Sequence, residues 1–161
     1  MQMTEVPGIL ERRLFLSRPI ASAIQRGLVN LQVAYAHFEE DFDRMVGKEG
    51  LSSSAFNALR ILRGDPGGHP RGEIARRLVY RKADVTRLID VLVRRGLVER
   101  VRSKIDRRLS LARITPKGLK VLARLDALVD ELIAHYERKL TRREWLDLSR
   151  LLEGLYASHV D

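Results

Sequence analysis

Apolar residues recur three and four positions apart near both ends of the chain, with a shorter, denser mixture between. From about Ser17 to Val46, Ile24, Leu28, Leu31, Tyr35, Phe38, Phe42 and Met45 trace one face of a long amphipathic helix with a heptad-like seam. Ser17 and Pro19 suggest its cap and first turn. Ile9, Leu10, Leu14 and Phe15 suggest a short helix before it, and Gly47 and Gly50 end the segment. Ser52 opens the next helix, whose apolar face is Phe56, Leu59 and Leu62. The run Gly64-Asp65-Pro66-Gly67-Gly68 is a turn or loop. A short helix from Pro70 turns Ile74, Ala75 and Leu78 inward, and a further one spans Lys82 to Arg95 with Val85, Leu88, Ile89 and Leu92 inward. Gly96 closes it as a C-terminal cap.

Two short strands are expected next, Leu97 to Arg102 and Arg108 to Ile114, joined by the polar tip Ser103-Lys104-Ile105-Asp106-Arg107. Thr115-Pro116 opens another helix, with Leu122, Leu125, Val129, Leu132 and Tyr136 as its seam. Thr141-Arg142-Arg143-Glu144 is a capping box before a last helix bearing Trp145, Leu148, Leu152 and Leu155. The expected fold is mainly α with a small β-hairpin wing: a winged helix-turn-helix core over 51–115, flanked by dimerisation helices over 1–50 and 116–161, in one compact protomer. The flanking seams carry more apolar surface than the small middle block can cover. That points to a second copy, unless the seams pack on each other within one chain.

Charge sharpens this picture. The 161 residues carry a formal net charge of +9. Residues 71–113 hold 14 basic and 5 acidic side chains, so this stretch alone accounts for the whole excess. Such a confined basic segment fits nucleic acid better than a membrane surface, because the charges do not lie along one amphipathic helix. The chain has no cysteine, which excludes disulfides, thiol catalysis and thiolate metal sites.

A helix, a tight turn, a second helix and a basic hairpin make a winged helix-turn-helix, whose second helix fits the DNA major groove. Here its outward face would present Arg81, Lys82, Ala83, Thr86, Arg87 and Asp90. Arg87 is the candidate guanine contact, Thr86 reaches a phosphate or a base, and Arg81 and Lys82 hold phosphate. Asp84 is expected to cap the helix or pair with a neighbouring base. The wing carries Arg102, Lys104, Asp106, Arg107 and Arg108, with Asp106 expected to hold an arginine by a bidentate pair.

These residues resemble the MarR (multiple antibiotic resistance regulator) family of bacterial transcription factors. The resemblance rests on Leu51-Ser52, Phe56 and Leu59; on Gly72 to Leu78; on Val85 to Asp90 with Leu92; and on Arg95 to Arg100. It continues through Asp106-Arg107-Arg108 and Ile114 to Gly118, covering about 51–125. It implies a dimer with interlocked terminal helices, recognition helices in successive major grooves, and Asp106 and Arg108 as a wing pair with Arg108 in the minor groove. It also implies repression of neighbouring genes and release from DNA by a small, often aromatic or phenolic, anion. Ala83, Asp84 and Pro70 depart from the common pattern, and the lack of cysteine excludes the peroxide-sensing mechanism.

Arg26, Tyr35, His37 and Phe38 on the first long helix are the candidate effector contacts, although Tyr35 and Phe38 also fit a packed seam. The effector class expected is an aromatic acid or its coenzyme A thioester. His37 and Asp41 are spaced i, i+4, but no cluster of three metal ligands is evident, and no metal or other cofactor is expected. No nucleophile, base and orienting partner assemble, so the chain is not expected to be an enzyme. The absence of a long apolar run and of a leader-like start leads to the expectation of a cytoplasmic protein. The functional expectation is a ligand-responsive dimeric repressor acting at a pseudo-palindromic operator. Alternatives are an effector-independent DNA-binding factor and a winged-helix module for RNA or protein.

Overall fold

A computed structural model describes residues 8–79, 84–103, 105–106 and 108–159. Among these it shows α1 (Ile9–Arg13), α2 (Ala23–Gly47), α3 (Ser53–Arg63), β1 (His69–Pro70), α4 (Arg71–Arg77), α5 (Val85–Arg94), β2 (Val98–Arg102), β3 (Ser110–Ile114), α6 (Pro116–Glu137) and α7 (Arg142–Tyr156), with a terminal 3-10 turn. The chain divides into two compact units, Met1–Phe42 and Asp43–Asp161. The mainly α fold with a small wing is therefore as expected.

In the first unit, α2 starts later than Ser17, leaving Pro19 outside the helix. Ser22 is the residue that caps it: its hydroxyl accepts from the Gln25 N–H at 3.3 Å and its carbonyl from the Arg26 N–H at 2.9 Å. Short α1 buries Glu11, whose carboxylate takes the Arg26 guanidinium at 2.5 Å and the Ile20 N–H at 3.5 Å. Backbone hydrogen bonding, from its own N–H and then from Ile20, together with the Arg26 charge, holds that carboxyl below the usual range against the opposing effect of desolvation.

In the second unit, Phe56, Leu59 and Leu62 of α3 meet a core shared with Ile74 of α4, Ile89 and Leu92 of α5, Val98 of β2 and Leu122 and Leu125 of α6, all buried. Ser52 caps α3 by accepting from the Ala55 N–H at 3.2 Å. The sheet has three strands in the order β1-β3-β2, where two were expected. Strand β1 is only His69 and Pro70, paired antiparallel with Ala112 and Leu111. Two residues, one of them a proline, are too few to show alternation. Pro70 thus caps α4 from the end of a strand.

A tight junction follows α5. Gly96 adopts φ +70, donating its N–H to the Val93 carbonyl at 2.8 Å, while Leu97 donates to the Leu92 carbonyl at 3.0 Å. This is a Schellman motif, and the left-handed backbone explains the glycine. The freed Leu97 carbonyl accepts from the Thr115 N–H at 3.0 Å, and the Thr115 hydroxyl donates to the Gly96 carbonyl at 2.7 Å. Thr115 also caps α6 by accepting from the Gly118 N–H at 3.0 Å. Gly118 lies so close to the Leu97 carbonyl that an added Cβ would overlap it. At the other end of α6, Thr141 and Glu144 form the expected capping box of α7.

Much of the terminal helices' apolar surface is uncovered. On α2, Ile24, Leu28, Leu31, Tyr35 and Phe38 are exposed. No residue of α7 is buried, and Leu146, Leu151 and Leu155 are open.

Replacing Gly118 by Ala should destabilise the protein by about 1–3 kcal/mol, because the methyl meets a fixed carbonyl. Gly72→Ala, with open space around it, should be neutral or slightly stabilising. Urea unfolding of the two variants beside the wild type reads the difference.

Candidate nucleic-acid interface

Helix α5 begins at Val85, later than the Lys82 expected from the sequence. Asp84 is the reason: it is extended, and its carboxylate accepts from the Arg87 N–H at 3.1 Å as the N-cap. Its expected role was capping or pairing, and capping is what it does. Burial of Ile89 and Leu92 turns Thr86 and Arg87 outward. The Thr86 hydroxyl accepts from the Arg71 guanidinium of α4 at 2.8 Å, joining the two helices across their exposed ends. Asp90 is ion-paired with Arg100 of β2. Arg81, Lys82 and Ala83 lie outside the described residues.

The wing pairs Arg102 of β2 with Ser110 of β3. Its tip is built by side chains. The Ser103 hydroxyl accepts from the N–H groups of Ile105 and Asp106, each at 3.2 Å, and the Asp106 carboxylate accepts from the Arg108 N–H at 2.9 Å. Among the described residues Asp106 therefore holds the backbone of Arg108, where a bidentate pair with a guanidinium was expected. An Asx-type turn satisfies the carboxylate locally, without ordering a long side chain. Arg102 and Arg108 border an open groove of about 440 Å3. Lys104 and Arg107 lie outside the described residues.

The arginines of this lobe differ in their partners. Several are tied to carboxylates: Arg63 to Asp126, Arg76 and Arg77 to Glu73, Arg100 to Asp90, Arg113 to Glu99 and Arg124 to Glu49. Hydrogen bonds from Arg76 and then Arg77 lower the Glu73 pKa, and those from Arg124 lower that of Glu49. By contrast, no carboxylate among the described residues pairs with Arg87, Arg102 or Arg108.

Sequence reasoning missed two features here. Arg95 donates to the Glu49 carbonyl at 2.6 Å and the Gly50 carbonyl at 2.5 Å, locking the end of α5 to the turn before α3. Beside it, an open cleft of about 430 Å3 lies between the start of α3 and α5, walled by Leu51, Ala55, Leu88 and Val91 and edged by Arg87. Neither has a local sequence signal, since each joins residues some forty positions apart.

The effector candidates all lie on α2. Arg26 is held by Glu11, His37 accepts from the Arg13 guanidinium at 3.4 Å, Tyr35 donates to Glu39 at 3.0 Å, and Phe38 stacks with Phe42 at 5.7 Å. At 100° per residue, Arg26 and His37 share one side of the helix and Tyr35 faces the other. The helix alone does not gather the four residues. Among the described residues no group of three potential metal ligands occurs, and no helix is long and apolar enough to cross a membrane.

Residues 49–109, which contain this helix pair and the first strand of the wing, match the MarR family model. The lobe is similar to the winged helix of the MarR family. The helix-turn-helix transcriptional regulator MhqR of Bacillus subtilis is 29% identical over 92 residues, covering 57% of this chain and 63% of MhqR. The match thus spans less than two thirds of that relative. The transcriptional repressor IacR of Pseudomonas putida is 25% identical over 122 residues, covering 76% of this chain and 72% of IacR. The crystal structure of the PcaV transcriptional regulator from Streptomyces coelicolor superposes with a TM-score of 0.67 at 25% identity, covering 83% of this chain and 96% of PcaV. These MarR-like relatives are transcriptional regulators rather than enzymes, in line with the reading of the sequence.

The Glu49–Arg124 pair, at 2.6 and 2.8 Å, ties the α2–α3 turn of this MarR-like lobe to α6. A carboxylate with a lowered pKa in the folded state adds stability above its unfolded pKa, and that stability is lost as pH falls through the folded value. Glu49→Gln should therefore be less stable than wild type at neutral pH, with the gap closing in acid. Urea midpoints from neutral pH to about pH 3 measure it.

Proposed function

We propose that this protein is a dimeric, sequence-specific transcriptional regulator: a repressor that leaves a pseudo-palindromic operator when a small anionic effector binds. The observation that carries this reading is the set of guanidinium groups at Arg87, Arg102 and Arg108. They stand on the outward face of α5 and on the wing, without a carboxylate among the described residues, in a segment that holds the chain's whole net charge. The arginines bonded to Glu49, Glu73, Asp90, Glu99 and Asp126 are neutralised locally, whereas these three are left for an anion that is not part of the chain. Helix α5 meets base edges through Arg87 in the major groove, and Arg108 follows the minor groove, where negative potential is greatest.

The uncovered seam of α2 and the open apolar residues of α7 supply the surface for a second copy. A two-fold dimer sets the half-sites about 10 base pairs apart. The cleft beside α5 suits an aromatic acid: its volume lies in the ordinary range for small ligands, its walls are apolar, and Arg87 stands at its edge. A carboxylate there would draw on the guanidinium that contacts DNA, so ligand and operator compete for one group. The thioester of such an acid would extend over the basic face.

The test begins with duplexes selected by the wild type from a random pool. On the selected site, Arg87→Ala should lose about 1–3 kcal/mol and relax base preference. Arg108→Ala should bind more weakly, with a salt slope shallower by about one unit. A panel of aromatic acids should release wild type from the duplex. Unchanged affinity and selectivity in Arg87→Ala would contradict the recognition-helix assignment.

A further inference from the structure

The tip of the wing presents an apolar side chain that the fold does not use. Ile105 is 100% exposed, and its neighbour in the turn, Leu109, is also open. A lone exposed apolar residue is ordinary. What distinguishes this one is the hydrogen-bonded turn that presents it and the residues beside it. The Ser103 hydroxyl takes the Ile105 N–H, Asp106 takes the Arg108 N–H, and the Leu109 N–H closes on the Asp106 carbonyl at 2.9 Å. Ser103 donates its own N–H to the Leu109 carbonyl at 3.0 Å. The isoleucine is thus carried on a hydrogen-bonded turn, between Arg102 and Arg108 in the chain, and these two arginines line the open groove of the wing.

An exposed apolar group flanked by guanidinium groups with which no carboxylate among the described residues pairs fits a surface that is anionic at its rims and apolar within. The minor groove of duplex DNA has that chemistry: phosphates along its edges and deoxyribose along its walls. Its floor distinguishes only two classes of base pair. A·T pairs show acceptors alone, and G·C pairs add the protruding amino group of guanine. A sec-butyl group cannot accept a hydrogen bond from that amino group and would strip its water, leaving a buried donor unsatisfied.

We propose that Ile105 enters the minor groove beside each half-site, packs on the sugar walls and selects A·T over G·C pairs there. This rests on the DNA-binding reading above and adds a specificity-determining residue to it. The arginines attract the duplex and Ile105 reads what lies in the groove.

The probe is the wild-type-selected duplex with its flanks made A·T, G·C or inosine·C. Inosine·C keeps the major-groove face of G·C but lacks the minor-groove amino group. Wild type should bind the A·T and inosine·C flanks alike and the G·C flank about tenfold more weakly. Ile105→Ala should bind the A·T flank several-fold more weakly, discriminate against G·C by less than about threefold, and keep the wild-type salt slope. Ile105→Val should retain most of the discrimination. Attraction of Arg108 to a narrow groove would also tolerate inosine·C, but it would survive Ile105→Ala. A full G·C penalty in Ile105→Ala therefore overturns the inference, as does a wild type that treats inosine·C like G·C. If wild type shows no specific binding to any duplex, the DNA-binding reading fails and this inference fails with it.

Discussion

The Leu97 carbonyl is the point at which the lobe is held together. The Schellman end of α5 leaves it free, the Thr115 N–H binds it, and Gly118 lets the first turn of α6 close over it. Two residues earlier, the Arg95 side chain grips the turn before α3, and Lys117 donates to the Arg95 carbonyl at 2.8 Å. Four segments therefore meet within three residues of chain. Because α5 ends and β2 starts there, the angle between the exposed helix and the wing is set by this junction. A side chain on Gly118 would disturb that angle before it disturbed anything on the exposed face.

Electrostatics divides the work of the arginines. Those bonded to Glu49, Asp90, Glu99 and Asp126 join elements of the lobe, those bonded to Glu73 stay within α4, and all are neutralised locally. Exposed pairs of this kind contribute modestly one by one, so their value is chiefly positional. The pairing of Asp90 with Arg100 shows this: it ties the outward side of α5 to the wing strand. Arg87, Arg102 and Arg108 are presented by the same framework but lack such partners among the described residues. A rigid scaffold carrying unneutralised cations is suited to a rigid polyanion, which is why duplex DNA is the partner proposed.

The helical periodicity and the local caps were legible in the sequence. Ser52, Thr115 and Thr141 announce α3, α6 and α7, and Gly96 announces the end of α5, because each acts within a few residues of itself. The start of α5 was harder to place, since charged residues before Asp84 read as well on a helix as off it. The start of α2 was misplaced because two serines and a proline offer competing caps, and Ser22 prevails. Strand β1 was invisible, because two residues become a strand only when β3 lies beside them. The Arg95 clamp and the cleft beside α5 were hidden for the same reason: they join distant positions. On the wing, the basic cluster was evident, but the use of Asp106 as a backbone acceptor depends on a turn geometry that composition does not reveal.

The most direct measurement is a fluorescence-anisotropy titration of the full chain at ~0.15 M salt. One labelled duplex comes from immediately upstream of its own gene, and the other is a scrambled duplex of equal length. The account predicts that the upstream duplex binds at least ~10³-fold more tightly. Equal, weak binding to both would reduce the unpaired arginines to non-specific attraction. Binding to neither would contradict the account and turn attention to RNA or protein partners.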